Sequence, residues 1–131
     1  MKKIIKTEDE WKKILTEDEY LVTRKKGTEA PFSGKKFNII NGGSFKCKCC
    51  DANLFNSKSK YESGCGWPSF YEQISPEAIT TKIDRSMNIE RIEILCSKCD
   101  SHLGHIFDDG PQPTGQRYCV NSLSIKYKEG E

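Results

Sequence analysis

The chain has 131 residues, a formal net charge of +2 and 31% charged residues with both signs interspersed, which fits one domain over residues 1–131 and argues against a nucleic-acid binder, whose affinity rests on a cationic excess. Met1-Lys2-Lys3-Ile4-Ile5-Lys6 opens like an export signal, but Thr7-Glu8-Asp9-Glu10 follows before any apolar run of ~7–15 residues develops, and none reaches the ~20 of a membrane span. The expected location is cytoplasmic, where thiols stay reduced, so seven cysteines read as metal ligands or redox groups and not as a disulfide framework.

In chain order, Thr7-Glu8-Asp9-Glu10 predicts a helix N-cap with an acidic first turn, followed by Trp11, Ile14 and Leu15 at helical spacing. Thr16-Glu17-Asp18-Glu19 repeats the signal before Tyr20, Leu21 and Val22, and Gly27 is placed as the end of this second short helix. The Lys pairs at Lys2-Lys3, Lys12-Lys13, Lys25-Lys26 and Lys35-Lys36 read as solvated surface. From Pro31 onward, Gly34, Asn41-Gly42-Gly43, Gly64, Gly66 and Gly110-Pro111 punctuate short strand-like segments. Ile79-Thr80-Thr81-Lys82-Ile83 and Ile92-Glu93-Ile94-Leu95 alternate about a turn at Ser86-Met87-Asn88, which predicts a hairpin. A last strand is expected from about Gln116 to Tyr127. The expected class is mainly β and mostly antiparallel, with an N-terminal helical cover.

Cys47-Lys48-Cys49-Cys50 and Cys96-Ser97-Lys98-Cys99 each hold a Cys-x-x-Cys pair directly after a predicted strand. A tight turn aims both sulfurs of such a pair at one point. Cys47, Cys50, Cys96 and Cys99 together match tetrahedral zinc, with Zn–S bonds of about 2.3 Å. Four thiolates close the shell, so one structural Zn(2+) per chain is expected, and the two pairs must meet through tertiary folding. Cys49 has no assigned role and reads as a spare thiol.

Two of the remaining cysteines sit in distinctive settings. Residues two apart share a strand face, so Arg117, Cys119 and Asn121 project together. A guanidinium beside the sulfur favours a thiolate, and Asn121 offers a hydrogen-bond donor. A half-buried structural cysteine fits these local features equally well. Cys65 lies between glycines in Ser63-Gly64-Cys65-Gly66-Trp67-Pro68-Ser69-Phe70, a setting that suits a resolving thiol which must reach an oxidised partner. Trp67, Pro68 and Phe70 form either an apolar platform or ordinary core, and core is the better reading for Phe70. His102 and His105 are candidate proton donors, surface residues, or ligands of a metal that the cysteines already satisfy. Asp108-Asp109-Gly110-Pro111 reads first as a turn, although either acid is placed to orient a histidine.

Taken in order, these segments resemble the type B methionine sulfoxide reductases, which act on the R epimer of methionine sulfoxide. The matching stretches are Gly27–Phe32, Ser63–Phe70, His102–Pro111 and Arg117–Ser122, with both Cys-x-x-Cys pairs where zinc-bearing members have them. The segment Asn38–Gly43 and Cys49 depart from the family's pattern. The resemblance implies two antiparallel sheets around a shallow active site. It implies Cys119 as nucleophile and Cys65 as resolving cysteine, with Trp67 holding the substrate's terminal methyl group. His102, His105, Asp109, Arg117 and Asn121 match positions around the site, and thioredoxin is the implied reductant. Two other classes are weighed against it. A zinc-ribbon binding module leaves Cys65, Cys119 and the histidines without purpose, and its mark is salt-sensitive nucleic-acid affinity. A general thiol oxidoreductase reduces disulfides well and sulfoxides poorly.

Overall fold

Thr7 and Thr16 do start the two helices, α1 (Glu8–Ile14) and α2 (Glu17–Arg24), each through a complete capping box with Glu10 or Glu19. The computed structural model describes residues 3–34, 37, 39 and 42–130. Lys2, the Lys35-Lys36 pair and Asn38, Ile40 and Asn41 of the segment before the first cysteine pair lie outside the described residues. Trp11, Leu15, Tyr20 and Val22 are buried, while Ile14 and Leu21 face solvent. Gly27 is not the left-handed residue that ends α2: that residue is Lys26, with φ 60°, and the Gly27 N–H donates to the Leu21 carbonyl at 2.9 Å.

Among the described residues the strands are nine: β1 (Ser44–Cys47), β2 (Asn53–Asn56), β3 (Lys60–Tyr61), β4 (Ser69–Phe70), β5 (Ile79–Asp84), β6 (Arg91–Cys96), β7 (His102–Phe107), β8 (Arg117–Val120) and β9 (Ile125–Lys128). They form two antiparallel sheets, ordered β2-β1-β9 and β3-β4-β8-β7-β6-β5. The expected hairpin is β5–β6, paired from Ile79↔Cys96 to Asp84↔Arg91. The expected last strand is two strands: a 3-10 turn at Ser122–Ser124 breaks it, and the chain leaves the larger sheet at β8 and enters the smaller one at β9. Asn121 caps that turn, so the run Arg117-Cys119-Asn121-Leu123 does not continue along one strand face.

The core between the sheets is aromatic. Phe45 meets Phe37, Phe70 and Tyr127 with ring centroids 5.0–5.2 Å apart, and Phe55 stacks on Phe70 at 4.1 Å. Phe70 is therefore core. Phe45 is fully buried, so Phe45→Ala is expected to lose about 3–5 kcal/mol of stability in a urea unfolding curve. A loss under about 1 kcal/mol would show that the two sheets do not depend on this ring. Among the described residues, no helix is long and apolar enough to cross a membrane.

Candidate active site and metal centre

The two Cys-x-x-Cys pairs fold into the same turn twice. Each begins on the last residue of a strand, Cys47 of β1 or Cys96 of β6. The Cys47 and Cys96 carbonyls accept the N–H of Asp51 and Asp100 at 3.0 and 2.8 Å, and both aspartates are left-handed, with φ 66° and 62°. The Cys47 and Cys96 N–H groups donate to Ala52 and Ser101. The four sulfurs of Cys47, Cys50, Cys96 and Cys99 lie within 4.8 Å of one another. Cys47–Cys99 and Cys50–Cys96 are each 3.6 Å apart. A tetrahedron with metal–sulfur bonds of about 2.3 Å has edges of about 3.8 Å, so the cluster is close to the size a metal ion needs. The N-terminal segment latches onto the second turn: the Ile4 N–H donates to the Lys98 carbonyl at 2.7 Å, Lys3 pairs with Asp100, and Arg24 donates to the Cys99 carbonyl while lying over the Trp11 ring. Cys49 is buried beside the cluster but outside the four-sulfur group.

The other two cysteines meet across the larger sheet. Cys119 sits on β8, flanked by Ser69 of β4 and His105 of β7. Cys65 comes from the glycine-flanked loop before β4, and its sulfur lies 3.3 Å from that of Cys119. Both face a pocket of about 240 Å³, whose walls include Trp67, His105, Phe107, Arg117 and Asn121. Gly104 forms part of its floor because β7 approaches β8 closely there: a Cβ on Gly104 would lie 1.9 Å from the Cys119 carbonyl oxygen. Trp67 is fixed by its indole N–H, which donates to the Glu29 carbonyl at 2.9 Å.

Burial pushes the Cys119 thiol up to about 12, and the hydrogen bond and charge of Cys65 add to this; Arg117 pulls the other way and is outweighed. At Cys65 burial is again the largest influence and raises the thiol, yet hydrogen bonds from Ser63, Ser69 and Cys119 bring it down to about 7. Of the two, Cys65 is the thiol that ionises first and Cys119 the one that holds its proton longer. The guanidinium is weaker than its place in the sequence indicates because it is shared: Arg117 makes a two-pronged ion pair with Asp109, at 2.9 and 3.2 Å, and lies over the Phe107 ring. Cys65→Ser removes two of the influences that raise Cys119. The pH midpoint for iodoacetamide labelling of Cys119 is therefore expected to move down in that variant. A midpoint that stays or rises would show that the two thiols are not coupled.

The histidines differ in position. His105 lines the pocket, and its Nε2 lies 2.8 Å from Asp84 Oδ2, an interaction that holds the Asp84 carboxyl well below the usual carboxylate range. His102 is buried behind it, with Nδ1 2.6 Å from Glu93 Oε2 and Nε2 without a partner among the described residues. Desolvation lowers the His102 pKa, although Glu93 opposes it. The two rings are 5.7 Å apart. Residues three apart on a regular strand face opposite sides, and the register shift at Ile94/Leu95 is what turns both imidazoles to one side. Asp109 holds Arg117 and not a histidine; the carboxylates that hold the histidines are Asp84 and Glu93. Asn121 is also braced: its Oδ1 accepts the Glu29 N–H at 3.1 Å, and its Nδ2 donates to the Leu103 carbonyl at 3.1 Å.

A family model described as the SelR domain matches residues 15–129. The chain belongs to that family. The peptide methionine sulfoxide reductase MsrB of Hahella chejuensis is 54% identical over 131 residues, 100% of this chain and 94% of the relative. The protein of the same name from Methanosarcina barkeri is 52% identical over 130 residues, 99% of this chain and 92% of its own. That of Escherichia coli (strain K12 / DH10B) is 54% identical over 123 residues, 94% and 90%. Membership of the SelR family makes the chain an oxidoreductase and confirms the resemblance read from the motifs. Sequence reasoning missed Glu29, Asp84 and Glu93 as parts of the site. Glu29 lay within a matching stretch, and its buried carboxylate ties the Trp67 loop to the turn after β8 through Ser122 and the Leu123 N–H, each at 3.0 Å.

Proposed function

We propose that this protein reduces the R epimer of methionine sulfoxide, in proteins and peptides, with Cys119 as nucleophile and Cys65 as resolving cysteine. The observation that carries the reading is the 3.3 Å Cys65–Cys119 contact at the wall of a pocket that Trp67 closes on one side. Two thiols so placed can take up one oxygen equivalent and return it as water.

The sulfoxide enters with its terminal methyl against the Trp67 ring. Cys119 attacks the sulfoxide sulfur, and its proton passes to the Cys65 thiolate across the same contact. His105, held by Asp84, supplies a proton to the sulfoxide oxygen, while His102 and Glu93 stand behind it. Arg117 with Asp109, and Asn121 with Glu29, fix the walls. Methionine leaves and Cys119 becomes a sulfenic acid. Cys65 attacks this sulfur, water leaves and a Cys65–Cys119 disulfide forms. Thioredoxin reopens it by dithiol exchange. The lower thiol of the pair is Cys65, which favours the opposite assignment of roles. The strand-fixed place of Cys119, opposite His105 and beside Arg117, supports the order given.

Zinc is the metal that suits four thiolates in a closed tetrahedral shell. Cys47, Cys50, Cys96 and Cys99 would hold it, and bound there it would cross-link β1 to β6 and supply no chemistry at the pocket. The test is to incubate the protein with separate R and S sulfoxide epimers and a dithiol, and to measure methionine released. Turnover of R alone is expected. Comparable rates on both epimers would remove the stereochemical reading, and no methionine from either would remove the activity.

A further inference from the structure

A second depression, of about 430 Å³, shares Trp67 as a lining residue with the sulfur pocket. Phe32, Phe37, Tyr61, Trp67 and Pro68 give it an aromatic lining, and Gly66 joins it to the Cys65 loop. Phe32 is 79% exposed. A single exposed apolar side chain is ordinary, but this one is held in place. Its backbone is left-handed, with φ 63°, a conformation unfavourable for a bulky residue. Its N–H donates to the Gly66 carbonyl at 2.7 Å. Gly66 itself, at φ +97°, leaves room for the approach: a Cβ there would lie 2.7 Å from Pro31 Cβ and 3.1 Å from the Phe32 ring. The turn that carries Phe32 is further tied to the site through the Trp67 indole on the Glu29 carbonyl and the Glu29 N–H on Asn121. Strained backbone kept in place by surrounding bonds gathers where ligands are gripped.

Resting on the reading given under Proposed function, we propose that this depression is a subsite for an apolar or aromatic side chain lying within two residues of the oxidised methionine in the substrate. Trp67 is the shared wall: it meets the sulfoxide methyl in the sulfur pocket and borders the neighbouring side chain in the second depression. An extended peptide advances about 3.3 Å per residue, so a chain crossing Trp67 brings a residue one or two positions away into the second depression. Charge at its rim is already paired, Lys60 with Glu62 at 3.1 Å, which favours an uncharged occupant. The substrates selected are thus oxidised methionines set in apolar sequence, of the kind normally buried in a folded protein and exposed when it opens.

The experiment is a series of short peptides carrying one R methionine sulfoxide, with leucine, phenylalanine, glutamate or glycine placed in turn at the two positions on either side. At one of these positions, kcat/KM for the phenylalanine or leucine peptide is expected to exceed that of the glycine peptide roughly tenfold, the worth of partly burying one such side chain, with glutamate at or below glycine. Phe32→Ala should bring that ratio to about one, and Phe32→Tyr should restore most of it. A ratio near one in the wild type, or a ratio that Phe32→Ala leaves unchanged, overturns the subsite. So does an equal fall for apolar and glycine peptides in Phe32→Ala, which would mark a purely structural ring. If no sulfoxide peptide is reduced at all, the proposed activity fails and the subsite with it.

Discussion

Cys119→Ser is expected to lower methionine formation by at least about 10³-fold, because a serine hydroxyl is a far poorer nucleophile than a cysteine sulfur that can pass its proton to Cys65. Cys65→Ser is expected to fail differently. Its Cys119 thiol, freed from the neighbouring charge that raises it, still attacks once and releases about one methionine per chain. The sulfenic acid is then stranded, since no other cysteine lines the pocket. Turnover with thioredoxin should collapse, and a small dithiol that reaches Cys119 directly should restore part of it. The measurement is a single-turnover burst for each variant, with mass spectrometry of the oxidised chain. A full burst in Cys119→Ser together with none in Cys65→Ser would reverse the roles. An oxidised wild type that joins Cys49 to Cys119 would overturn the resolving assignment.

The four-cysteine cluster was legible because each half is local. A strand end, a two-residue gap and a turn are written in consecutive residues, and both halves fold alike. The helix starts were legible for the same reason, since a capping box spans only four residues. The cysteine pair was legible only through its motifs, because 54 residues separate Cys65 from Cys119 and nothing local brings them together.

The acids behind the histidines show where pattern reading fails. In Ile92-Glu93-Ile94 the alternation points Glu93 outward, yet Glu93 is 1% exposed and Ile92 is 45% exposed. The alternation itself holds, since Ile94 is fully buried, but the opposite face of β6 is covered too: Glu93 lies across from His105 and bonds His102. Burial of Glu93 is tolerable because His102 and Lys26 both reach it. Asp84 was hidden for another reason: it ends β5, where an acid before a turn reads as turn chemistry. It serves that purpose too, accepting the Ser86 N–H at 2.9 Å. The break at Ser122–Ser124 was missed because Arg117–Tyr127 alternates well enough for one strand. The change of sheet depends on Glu29, far away in sequence, accepting the Leu123 N–H.

Removal of the metal is expected to damage the fold before the chemistry. In the wild type one zinc per chain should be found by elemental analysis, and Cys96→Ser should bind it far more weakly. Cys96 is fully buried and begins the second turn, on which the N-terminal segment rests through Ile4, Lys3 and Arg24. The free energy of metal binding is also folding free energy. A loss of only ~3 kcal/mol would lower the melting temperature by roughly 10 °C in a domain of this size. Low solubility and early melting should therefore precede any change specific to sulfoxide reduction. Cys49→Ser keeps all four ligands and should hold one zinc per chain. Zinc content that falls in Cys49→Ser as far as in Cys96→Ser would place Cys49 in the shell. A chelator-stripped wild type that melts at the temperature of the zinc-loaded protein would show that β1 and β6 are held together without a metal.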